Sequence, residues 1–119
     1  MNIQEIVKKI VEYINTGKNV QAEEELYADD VLSVEQNGHS VKGKEAVIQK
    51  TKGAFAEVEE VFSGGVDQAF VSADNFLLIM NMDMKRKGGE RMKSTEYGFY
   101  KVKDGKISEE YFFSQPMAE

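Results

Sequence analysis

"FLLIMNMDMKRKGGERMKSTEYGFYKVKDGKISEEYFF", residues 76–113, alternates apolar and polar side chains in three runs broken by KGGE and KDGK. Period-two alternation between glycine-bearing turns is the pattern of antiparallel strands with one face buried. It predicts strands over 76–86, 91–102 and 106–114, and the turn sequence SADN adds another ahead of them over 66–72. Phe76, Leu78, Met80, Met82 and Met84 then share one face of a strand, and Leu77, Ile79, Asn81, Asp83 and Lys85 share the other. The first face is expected to meet the rest of the core. Its three methionines suit plain core, the favoured reading, or the irregular wall of a ligand cavity, because a thioether chain fills odd shapes. The other face begins apolar, and Tyr97 and Phe99 on the next strand continue it; an apolar patch outside a sheet is expected to find a partner, here a second copy of the chain.

Upstream the period changes. Ile3, Ile6, Val7, Ile10, Val11 and Ile14 recur at three- and four-residue spacing, which predicts a helix that Gly17 stops. A shorter helix is expected from Asn19 as N-cap through VQAEEELY, with Ala22, Leu26 and Tyr27 inward and the glutamates outward. VLSVEQ, 31–36, reads as a short strand, and a third helix starts near Gly43 with Val47, Ile48, Thr51 and Phe55 on one side. Helices first and strands afterwards argue for an α+β fold, with three N-terminal helices laid across one face of a curved antiparallel sheet.

The 119 residues fit a single domain, a size that buries roughly two-thirds of the surface its unfolded chain exposes. With 41% apolar and 30% charged residues and one proline, the chain reads as globular and ordered. The absence of cysteine excludes disulfides, thiolate zinc sites and a cysteine nucleophile. A formal net charge of −6 disfavours nucleic acid as a partner. KRKGGERMK, 85–93, gathers five basic residues around one glutamate, but its paired glycines make it a solvated hairpin tip. MNIQEIVKKIVEYI lacks the uninterrupted apolar run of a signal peptide or membrane span, so a soluble, cytoplasmic protein with no membrane partner is expected.

No phosphate-binding glycine loop, nucleophile elbow or metal-helix motif occurs, so no cofactor is expected, and one histidine without cysteine is a poor metal site. His39, between Gly38 and Ser40, is expected in a loop where it can serve as a base at a pocket mouth. Asp29 and Asp30 are expected to cap a turn. Glu35 is the best single candidate for proton transfer, because an apolar cavity beside a strand raises a carboxyl toward neutrality. Alternation nevertheless puts Leu32, Val34 and Gln36 inside and turns Ser33 and Glu35 to solvent. Tyr13, Tyr27 and Tyr100 are candidate donors to the polar head of a ligand.

A long first helix, a short second one ending in YADDV, a strand, VKGKEAV and a terminal YKVKDGKISEEYFF, in that order, resemble SnoaL-like proteins of the nuclear transport factor 2-like superfamily over about the whole chain. The resemblance implies a cone-shaped sheet curled around the helices, a pocket at its wide end for a small apolar organic ligand, and a homodimer through the outer sheet face. It also implies one of two functions: cofactor-independent isomerase, cyclase or dehydratase chemistry, or non-catalytic binding and assembly. Ketosteroid isomerase carries its base in a VED stretch, which VEQ matches here. The base position holds Gln36 by that motif, or Glu35 when counted from Asp29 and Asp30, and the tyrosine position carries Ile10 with Tyr13 three residues on. Steroid isomerase chemistry is therefore not implied.

The terminal GKIVEHWD pattern of SnoaL-like cyclases is matched by GKISEEYF, which puts Glu110 and Phe112 at its pocket-facing positions. On the preceding strand Glu96 falls inward with Gly98 and Tyr100. Two inward carboxylates side by side on neighbouring strands cannot both ionise cheaply, so one is expected to act as acid and the other as base. The candidate catalytic groups are thus Glu110, Glu96 and Glu35, and Met80, Met82, Met84 and Phe112 join the tyrosines and His39 as ligand contacts.

Overall fold

A computed structural model describes residues 1–116, in the order α1 (Ile3–Asn15), α2 (Asn19–Leu26), β1 (Tyr27–Val34), β2 (Ser40–Lys42), α3 (Lys44–Ala56), β3 (Val58–Ser72), β4 (Asn75–Arg86), β5 (Arg91–Lys103) and β6 (Lys106–Pro116). The architecture is α+β, three helices packed on a curled, unclosed sheet of six strands. Among the described residues no helix is long and apolar enough to cross a membrane.

The stripe of α1 buries Ile6, Val7 and Ile10, and a capping box closes its start: the Glu5 N–H donates to Asn2 Oδ1 (2.9 Å) and the Asn2 N–H to Glu5 Oε1 (3.2 Å). Asn19 does not cap α2. The chain reverses so tightly after α1 that the Lys18 N–H donates to the Tyr13 carbonyl (2.8 Å), which leaves Lys18 in the cap position and Asn19 as the first helical residue.

The strand order is β2-β1-β6-β5-β4-β3. The run from β3 to β6 is an antiparallel meander, as its alternation predicts, but β1 pairs with β6 in parallel. The sheet is therefore mixed rather than antiparallel throughout. A parallel neighbour needs a long connection, and α3 with the whole meander supplies it. β1 starts at Tyr27, so Asp29 and Asp30 are exposed strand residues beside a bulge rather than turn caps. β3 starts at Val58, well before the expected 66, because three register shifts along this mostly exposed edge strand break its alternation.

The core lies between the helices and the concave face, where Phe76, Leu78 and Met80 of β4 meet Ile6, Ile10, Leu26 and Val47. On the convex face Phe70, Leu77, Phe99 and Tyr111 stand in register across four strands, with Ile79, Tyr97 and Phe113 in the next row. Phe70 is 54% and Phe113 52% exposed. Asp83 of this face is itself buried, held by a bidentate bond from Arg91 (2.8 and 3.0 Å).

The inner face of β1 reverses the sequence expectation. Val31 and Ser33 are fully buried, Glu35 lines the interior, and Leu32 and Val34 are half-buried on the other side. The polar residues point inward because they meet a buried carboxylate there, which hydrophobic pattern alone does not register.

Candidate functional site

A cavity of about 300 Å³ opens between the helices and the concave sheet. Ile10, Ile14 and Ala22 form its helical side. Met80, Met82 and Met84 line the sheet side; Met80 also belongs to the packed core, and Met82 is only half-buried.

Tyr100 of β5 underlies the cavity, its ring stacked on Phe76 (centroids 4.7 Å apart, planes at 13°) and edge-on to Phe112 (6.1 Å). The ring lies back along its own strand over Gly98, where a Cβ would come within 2.8 Å of the tyrosine hydroxyl oxygen. Glycine at 98 is what makes this rotamer possible. The hydroxyl bonds to no side chain among the described residues, and burial, with Glu110 and Glu96 nearby, holds it well above the ordinary tyrosine range, so it stays protonated.

Glu110 of β6 is 1% exposed and accepts two hydrogen bonds, from the Tyr27 hydroxyl and from Ser33 Oγ (2.6 Å). Ser33 is its register neighbour on parallel β1. Having one proton to give, Ser33 donates it to Glu110 and accepts from Lys50 Nζ (2.5 Å), which also bonds Glu35 Oε1 (2.7 Å). Burial holds the Glu110 carboxyl above the ordinary carboxylate range, although its two donors and Lys50 pull against it.

Two further carboxyls are less occupied. Glu23 of α2 is 6% exposed; its Oε2 accepts from Thr51 Oγ1 (2.6 Å), whereas its Oε1 is buried with no partner. Burial raises it to about 7 against the Thr51 bond, and Glu110 adds to the rise. Glu96 of β5 is also raised to about 7, by burial first and then by Glu35 and Glu110, with Lys50 and Arg86 opposing. It makes no side-chain hydrogen bond or ion pair among the described residues.

Glu96 and Glu110 both line the cavity, but they are not side by side. The β5–β6 register sets Glu110 opposite Tyr100 and Glu96 opposite Ser114, so four residues of strand separate the two acids. Tyr27, Tyr100, Phe112 and Glu35 also line the cavity. Tyr13 does not; its hydroxyl donates to Glu25 Oε2 (3.2 Å) on the outside of the helix pair. His39 is exposed in the turn before β2, away from the cavity.

Sequence reading missed Glu23, Ser33 and Lys50. A signal for Glu23 was present, since it precedes Leu26 and Tyr27 by three and four residues and so shares their helical face. Lys50 likewise follows Val47 by three.

A family model described as SnoaL-like domain matches residues 1–114. A Mesorhizobium loti structure named a candidate SnoaL-like polyketide cyclase (carbohydrate phosphatase) is 39% identical, with a TM-score of 0.86, over 95% of this chain and 99% of that one. A candidate SnoaL-like polyketide cyclase from Jannaschia sp. CCS1 is 16% identical, with a TM-score of 0.81, over 94% of this chain and 84% of that one. A Catenulispora acidiphila protein with a ketosteroid isomerase-like fold, solved with trimethylamine, is 18% identical, with a TM-score of 0.76, over 94% of this chain and 86% of that one. The last two show likeness of fold alone. No functionally curated protein matches. With the family model spanning nearly all of its length and a relative of such similarity in sequence and structure, the chain belongs to the SnoaL-like domain family.

Proposed function

We propose that the cavity binds a small, largely apolar organic molecule and moves a proton on it without a cofactor, as an isomerase, cyclase or dehydratase does. The observation that carries this reading is Glu96, an inward carboxyl raised to about 7 and bound to no side chain among the described residues, two inward positions from Tyr100 on one strand. A general base works best when its pKa lies near the working pH. As a carboxylate Glu96 takes a proton from carbon beside a ligand carbonyl. The carbonyl oxygen, becoming an enolate, accepts from the Tyr100 hydroxyl, and Glu96 then returns the proton to a second carbon or to a leaving oxygen. Glu110, its oxygens already engaged by Tyr27 and Ser33, serves as a fixed polar anchor rather than a proton carrier. Glu35 is tied to Lys50 and tunes Glu96 from a distance. The cavity is at the small end of ligand sites, which run from about 300 to 1,000 Å³.

Cyclohexanone in D2O provides the test. Solvent deuterium is expected to enter the carbons beside its carbonyl faster than in buffer, and Glu96→Gln to abolish the excess. Binding without exchange would favour a non-catalytic binding or assembly module. The convex face supports the assembly part of that alternative, because Phe70 and Phe113 stand exposed beside Leu77, Ile79, Tyr97 and Phe99. Two copies pair there in either reading.

A further inference from the structure

We propose that the cavity recognises an organic ammonium group, taken by the free oxygen of Glu23. This rests on reading the cavity as a ligand site, though not on catalysis.

The charged groups facing the cavity are Glu23 from α2, Glu35 from β1, Glu96 from β5 and Glu110 from β6, against Lys50 from α3 and Arg86 from β4. Lys50 is engaged by Ser33 and Glu35, and Arg86 is exposed. Tyr27 and Tyr100, the remaining titratable groups, are held protonated by burial. Four carboxyls therefore face the cavity against two cations, one of which, Lys50, is already engaged by Ser33 and Glu35.

The second observation is independent of that count. Glu23 is 94% buried by its 6% exposure, and its Oε1 has no donor, while its other oxygen holds Thr51. A buried acceptor without a donor is costly, and a ligand N–H removes the cost. An ammonium ion supplies both the N–H and the missing positive charge; a neutral alcohol supplies only a donor, and a carboxylate adds to the repulsion. Because burial raises Glu23 to about 7, the empty site holds a proton part of the time near neutrality. An ammonium displaces that proton, so binding releases it and strengthens as pH rises through neutrality.

The test compares benzylamine, benzyl alcohol and benzoate, which share one ring, by titration calorimetry on the full chain. Measurements are made a unit below and a unit above neutral pH, in two buffers of different ionisation enthalpy. Benzylammonium is expected to bind at least ~10-fold more tightly than either analogue. Its affinity should rise with pH, with about half a proton released per site at neutrality. Glu23→Gln should weaken benzylammonium ~10-fold and abolish the proton release, leaving benzyl alcohol unchanged. If that variant fails to fold, the ranking and pH trend of the unmodified protein still decide. Benzyl alcohol or benzoate binding as tightly, affinity falling as pH rises, indifference to Glu23→Gln, or no binding by any of the three would overturn the proposal. The cyclohexanone exchange reads Glu96 and can fail while this experiment succeeds.

Discussion

Gly98 lies under the ring of Tyr100, close enough that a methyl group at 98 would stand 2.8 Å from both Cε1 and the hydroxyl oxygen. Gly98→Ala is expected to push the ring off Phe76 and cost about 1–3 kcal/mol, the usual range for overpacking. The measurement is the urea midpoint. Tyr100→Phe keeps the ring and removes a hydroxyl that has no side-chain partner, so it should change stability by less than roughly 1 kcal/mol while weakening ligand binding. Equal losses in both variants would show that Tyr100 is held by its hydroxyl rather than by its stacking.

Tyr27→Phe removes one of the two donors to Glu110. A buried carboxyl left short of a donor costs about 1–3 kcal/mol, and chemical denaturation should show that loss. Glu110→Gln combined with Tyr27→Phe should cost less than the two single changes added together, because both act on one hydrogen bond. Strict additivity would mean that the two side chains do not communicate.

Glu23 and Glu96 are each raised from 4.5 to about 7. In that interval the unfolded chain gives up protons that the folded protein keeps, so ν_U is smaller than ν_N and stability falls as pH rises. The penalty is absent below 4.5, complete above about 7, and of order 3 kcal/mol for buried Glu23. Thermal melts across this window should decline for the unmodified protein, less so for Glu23→Gln, which is expected to be the more stable of the two above neutrality. Asp83, pulled down by its Arg91 bond, acts oppositely: its stabilisation is present above its unfolded value of 3.8 and is lost as pH falls through its lower folded value.

Light scattering at micromolar concentration should report a dimer that Phe113→Glu dissociates, since Phe113 projects from the convex face beside Tyr97. A specific pairing buries at least about 1,000 Å² in total. A monomeric unmodified protein would contradict the assembly reading.

Alternation in β4 and the stripe of α1 were legible because each element turns one apolar face to the core, and Phe76, Leu78, Ile6 and Ile10 lie on those faces. The same rule fails wherever a third environment, the cavity, replaces solvent. Ser33 and Glu35 point inward because Glu110 and Lys50 are there to meet them, and those partners lie 77 and 15 residues away in the chain. Strand pairing decides which acids meet, so the side-by-side pairing of Glu96 with Glu110 gave way to Glu110 with Tyr100 and Ser33. Glu23 is one of three successive glutamates that composition treats alike, and only its helical spacing to Leu26 and Tyr27 marks it as the one that turns under Thr51.

β6 is the last described strand and yet stands between β1 and β5. Synthesis proceeds from the N-terminus, so three helices and five strands leave the ribosome before residues 106–116, which join the two parts of the sheet. Until then β1 and β5 present open edges, the kind of surface that recruits strands from other chains. Glu110 arrives on that same segment, so the polar end of the cavity forms at the moment the sheet becomes whole. A nascent chain stalled short of residue 106 is thus left with both a gap in its sheet and a cavity without its polar end.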